Sequence, residues 1–121
     1  MTTATITAKA TLQLVTFSPE RKVFVDQEAT ISCGSDSYPA KVVEIRPVRG
    51  GYEVDLRQFN FVWDKTKPGG QGHQNWIIEW DRPVGGVTTI KLHKDGSIVK
   101  AGRSGYRFTL GVARPYYCWE F

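Results

Sequence analysis

The sequence predicts an all-β domain, a small elaborated barrel or sandwich. Three observations carry that prediction. Residues 3–14 alternate with a period of two. An Asp95-Gly96 pair stands between two apolar runs, and glycine there readily supplies the positive φ of a tight hairpin. No segment shows the apolar recurrence of an amphipathic helix. The 12 glycines and 6 prolines suit strands and turns.

Each element follows from its local pattern. Ala4, Ile6, Ala8, Ala10, Leu12 and Leu14 share one parity, and threonines fill most of the other. That pattern gives a strand with one apolar face. At 1–16 it forms a long N-terminal arm or edge strand, suited to pairing with a second copy in a homo-oligomer. Ser18-Pro19 breaks it. Short strands follow at 22–26 and 28–32 around Asp26-Gln27. A strand at 38–46 has Pro39 near its start, because proline cannot donate to a ladder. Gly50-Gly51 turns the chain into Tyr52, Val54 and Leu56, which alternate with Glu53, Asp55 and Arg57. Residues 64–75 read as a long loop, a length that is uncommon unless functional or mobile. Strands are expected at 76–80 and 87–93, with a turn at Gly85-Gly86 between them, then at 97–99 and 106–110. The end, 115–121, is aromatic.

With 121 residues the chain is one domain, 1–121, able to form its own core. No run approaches the ~18 apolar residues of a membrane span, so no membrane partner is expected. The N-terminus lacks a signal-like apolar stretch, which points to a reducing cytoplasm. In that setting Cys33 and Cys118 are expected as free thiols packed as small apolar residues.

The net charge of +4 is uneven. Residues 1–60 hold seven basic and seven acidic side chains, whereas 61–121 hold nine basic and five acidic. Such an excess attracts anions. Neither His73 and His93 nor the cysteines have zinc-ligand spacing. No nucleophile elbow is present, and Gly69-Gly70-Gln71-Gly72 lacks the Lys-Ser/Thr ending of a P-loop. The reading is therefore non-enzymatic, without metal or cofactor.

Trp63, Trp76 and Trp80 flank the long loop, Lys65 and Lys67 lie within it, and Arg82 follows. Indole rings stack on bases, and lysine and arginine side chains bind phosphate oxygens. Trp63, Lys65, Lys67, Trp76 and Arg82 are thus the first candidates for a nucleotide-like anion or single-stranded nucleic acid. Arg103 and Arg107, beside a glycine-bearing turn, are a second set. Each tryptophan has the alternative of being core.

Gly34-Ser35-Asp36-Ser37-Tyr38-Pro39-Ala40-Lys41-Val42-Val43-Glu44-Ile45 resembles the opening of an SH3-like or Tudor-like barrel. The same stretch is similar to a family of small bacteriophage β-proteins. That likeness also rests on the Lys94–Gly102 hairpin, the Leu110-Gly111 step and the aromatic end closing on Phe121. It spans roughly 26–121 and implies a phage protein in the host bacterial cytoplasm, with an SH3-like portion near 22–62. It carries no ligand residue. Three roles follow as expectations: sequestering a nucleotide-like host defence signal, inhibiting a host protein or nucleic acid by binding it, or serving in the virion.

Overall fold

The computed structural model describes residues 11–34, 36–67, 75–99 and 106–116. These residues form seven strands and no helix: β1 (Leu14–Ser18), β2 (Arg21–Phe24), β3 (Glu28–Cys33), β4 (Asp36–Val48), β5 (Gly51–Trp63), β6 (Trp76–His93) and β7 (Tyr106–Leu110). β1 and β2 are a hairpin. The others form one antiparallel sheet in the order β6-β5-β4-β3-β7. The chain is all-β, as its alternation predicts.

The sheet has a distinct inner face. The ladder aligns Leu110, Ala29 and Ala40, and then Phe108, Ile31 and Tyr38. Further along it aligns Val42, Leu56 and Thr88, and Ile45, Val54 and Ile90. The hairpin lays Val15 and Val23 on part of this face. There Val42, Ile45, Val54 and Leu56 are completely shielded from solvent. Burial of that extent is the main stabilising term, about 1.5–3 kcal/mol for each large aliphatic side chain.

The hairpin is tied down on both flanks. Leu12 N–H donates to Ile45 O at 2.9 Å, and Asp26 N–H to Val42 O at 2.8 Å. At the other flank the Phe17 ring meets Tyr52 edge-on at 5.5 Å. Phe17 also packs against the Asp95-Gly96 turn. Gly96 has φ +89°, and a Cβ there would lie 2.6 Å from the Phe17 ring. The Asp95 carboxylate accepts from the Ser97 amide at 2.9 Å and the Ser97 hydroxyl at 2.6 Å, so the turn is locked as expected of this pair.

Three details correct the alternation reading. Leu14 does not share the buried face with Leu12. The chain bends at Gln13 as it leaves β4 for its pairing with β2, and the parity reverses, so that Val15 turns inward and Leu14 is 54% exposed. The strands read at 22–26 and 28–32 exist but do not pair with each other: β2 pairs with β1, and β3 with β4 and β7. Gly85-Gly86 is not a turn either. β6 runs through it, with Arg57 opposite Val87 and Gln58 opposite Val84, so two extra residues form a bulge with Gly85 at φ +69°. The N-terminal arm before Thr11 and Cys118 lie outside the described residues. No helix of the described residues is long and apolar enough to cross a membrane.

Candidate functional site

β5 and β6 outrun the sheet. The β4–β5 ladder ends at Ala40–Gln58, while β5 and β6 stay paired as far as Trp63–Trp76. The result is a two-stranded ribbon, an element only marginally stable alone. Aromatic rings hold it. Trp76 meets Trp63 at 5.2 Å and Phe61 at 4.8 Å, both nearly perpendicular. Phe59 meets Trp80 at 5.2 Å, and Lys41 Nζ lies 4.5 Å from the Trp80 ring centre. Edge-to-face pairs of this kind contribute about 0.5–1.5 kcal/mol each beyond burial. The tryptophans therefore brace the ribbon.

The ribbon tip is closed by Asp64. Its amide donates to Asn75 O at 2.9 Å. Its carboxylate accepts from the Thr66 hydroxyl at 2.6 Å and the Thr66 amide at 3.0 Å. These bonds, the hydroxyl first, hold the Asp64 carboxyl below its usual range. Lys67 Nζ stands 4.0 Å from the same carboxylate and is 64% exposed.

The C-terminal segment reaches this tip from the far side of the sheet. After β7, Gly111 bonds Glu28 O, and the chain crosses β3. The buried Thr30 hydroxyl donates to Val112 O at 2.6 Å and accepts from the Arg114 amide at 3.0 Å. Tyr116 then exchanges both backbone hydrogen bonds with Ser37, at 2.7 and 2.9 Å. Ser37 and Pro39 share strand parity, so Pro39 lacks its amide on the edge where the β5 ladder has not begun. The segment thus occupies the edge of β4 that the ribbon leaves open. Between the two lies a groove of about 480 Å³, bordered by Asp64, Lys67, Asn75, Trp76, Arg114 and Tyr116.

The candidates read from sequence are only partly brought together. Lys67 and Trp76 share this groove, and Trp63 braces Trp76. Lys65 is exposed at the tip. Arg82 lies in a second β6 bulge beyond the Asn60–Glu79 pair, roughly 10 Å along the ribbon from Trp76 at the rise of a strand. There it pairs with Glu79 at 3.3 Å. Arg107 is exposed on β7, opposite Ser32. Arg103 lies outside the described residues, as do loop residues 68–74. The sequence reading did not single out Arg114. Its one sequence signal is its place in the basic half, 61–121, and only the crossing over β3 brings it to the ribbon.

A second concavity lies on the inner face, where the β1–β2 hairpin stops covering it. It has about 900 Å³ and is bordered by Tyr38, Gln58, Thr88, Ile98, Tyr106 and Phe108, with Ile31 and Cys33 also on its wall. The Tyr106 and Phe108 rings stack at 6.4 Å, only 15° from parallel.

The outer face carries an ionic cluster. Arg46 binds Asp55 through two bonds, at 2.7 and 2.9 Å, and Glu44 at 2.6 Å. Thr89 adds a hydroxyl to Asp55 at 2.6 Å. The Arg46 bond, and then Thr89, hold the Asp55 carboxyl below its usual range against the opposing effect of burial. Among the described residues no group of three His, Cys, Asp or Glu side chains has a metal-holding arrangement.

Comparisons with protein-family models, curated proteins and solved structures find no match.

Proposed function

We propose that this chain is a non-catalytic binding protein of a bacteriophage that takes a nucleotide-like anion in the groove between the ribbon tip and the C-terminal segment. One observation carries the reading: Lys67, Arg114 and Trp76 border one groove, built from segments about forty positions apart. Among the described residues bordering the groove, two cations, Lys67 and Arg114, stand against one carboxylate, Asp64. The arginine fork suits a phosphate's paired oxygens. A volume of about 480 Å³ lies within the range of small-ligand sites. The braced indole keeps its orientation before the ligand arrives, which lowers the ordering cost of binding. In an infected host, such a binding protein would act by sequestering a nucleotide defence signal.

The runner-up is single-stranded nucleic acid, favoured by Lys65, Lys67 and Arg82 exposed along one ribbon. Titration with cyclic mono- and dinucleotides and with a single-stranded oligonucleotide, each at 50 and 200 mM salt, separates the two. A compact nucleotide should lose affinity only mildly with salt. An oligonucleotide contacting many phosphates should lose it steeply, by tenfold or more. If neither class binds at the lower salt, both readings fail.

A further inference from the structure

We propose a second, chemically different binding site: the inner-face cleft takes a small, flat, uncharged aromatic molecule. This goes beyond the anion groove and does not depend on it.

The argument begins with the sheet itself. The inner face is continuous from Ile45 and Val54 to Cys33 and Tyr106, yet the β1–β2 hairpin covers only the first part. Over the covered part Val42, Ile45, Val54 and Leu56 are aliphatic and fully buried. Over the uncovered part the same alternation supplies Tyr38, Gln58, Thr88, Tyr106 and Phe108. A sheet face simply exposed to water would carry charged side chains at these positions, as the outer face does with Glu44, Arg46, Glu53 and Asp55. Among the described residues bordering the cleft, Lys91, at the rim, is the one charged side chain; Asp36 shares the face opposite Cys33.

The shape matches that chemistry. About 900 Å³ lies within the range of small-molecule sites. Tyr106 and Phe108 stand nearly parallel with 6.4 Å between ring centres, so β7 lines the cleft with two aromatic rings. A flat aromatic molecule packs on such rings edge-to-face or offset. Ile31 and Ile98 give apolar sides, and both pack against the core, which keeps the cleft from collapsing. Gln58 and Thr88 add hydrogen-bonding groups, enough to orient a ring that carries one or two polar atoms. Among the described residues no guanidinium lines these walls, which is what distinguishes this site from the Arg114 groove.

The test uses N-phenyl-1-naphthylamine, a neutral two-ring fluorophore that brightens in apolar surroundings. The full chain should give saturable enhancement with one site. Thr88→Phe, which fills the cleft from an exposed position, should weaken that binding at least tenfold. Lys67→Ala and Arg114→Ala should leave it unchanged, which separates this proposal from the anion groove. A second readout needs no variant. The fluorophore should slow alkylation of Cys33, read by mass mapping of its peptide. Absence of saturable enhancement in the native chain overturns the proposal. So does enhancement accompanied by unchanged Cys33 alkylation, or by equal affinity in a folded Thr88→Phe variant. Should Thr88→Phe not fold, as seen by circular dichroism, Tyr106→Ala on the opposite wall replaces it, with the same expected loss of affinity and the same overturning result.

Discussion

The two halves of the inner sheet face share strands, ladder and alternation, yet they differ in what lies above them. Under the β1–β2 hairpin, Val42, Ile45, Val54 and Leu56 are fully buried. Beyond it, Tyr106 is 52% exposed and Thr88 is open to solvent. Among the described residues, a single short hairpin divides one face into a structural core and a cleft that the hairpin does not cover. The lesson is that alternation along a strand fixes which side chains share a face. Whether that face becomes core or site is decided by a distant segment that covers it.

The largest expected effect tests the covered half. Ile45→Ala removes a fully buried side chain and should cost about 2–5 kcal/mol, read by denaturant unfolding. Tyr106→Ala in the open half should cost less than about 1 kcal/mol, since an exposed ring has little burial to lose. Equal losses would break the distinction between the halves.

The second effect lies on the face behind the core. Asp55→Asn leaves the half-buried Arg46 with its weaker carboxylate contacts and should cost about 2 kcal/mol at pH 7. Asp55 titrates lower when folded than its unfolded value of ~3.9, so its stabilising contribution is complete above that value. It is lost as pH falls through the lower folded value. The gap between native and Asp55→Asn stability should therefore narrow below about pH 4. A gap that stays constant to pH 2 would contradict the assignment.

A comparable effect sharpens the boundary. Gly96→Ala places a Cβ against the Phe17 ring at a left-handed φ and should cost about 1–3 kcal/mol. Because Phe17 belongs to the covering hairpin, amide exchange should quicken in β1 and β2 before it does in β4 and β5. Uniform acceleration across all four strands would mean that the hairpin is not a separable cover.

The sequence made these local elements legible through particular residues. Asp95-Gly96 and Gly50-Gly51 marked two hairpin connections, and the Tyr106, Phe108 and Leu110 parity marked β7. Gly85-Gly86 misled because two glycines serve a bulge as well as a turn, and the ladder with β5 decides between them. Leu14 misled because a bend at Gln13 reverses parity without any turn residue. At the site, Lys67 and Trp76 were visible as a cation and a ring flanking one loop. Arg114 was not, because its place depends on Thr30 and Ser37, more than seventy positions away. The cleft left no local mark at all: Tyr38, Gln58 and Thr88 sit on three different strands, and each alone reads as ordinary surface.

The central claim is that the ribbon-tip groove binds a nucleotide-like anion through Arg114 and Lys67. Titration of the tightest-binding member of the nucleotide panel against native protein and Arg114→Ala tests it most directly. The guanidinium is exposed, and the Arg114 contact to Thr30 uses the backbone amide, so the substitution should leave the unfolding midpoint in place. Loss of a charge-assisted phosphate contact of about 1.5–3 kcal/mol should weaken binding roughly 10- to 150-fold. Native affinity retained by a folded Arg114→Ala variant would contradict the account.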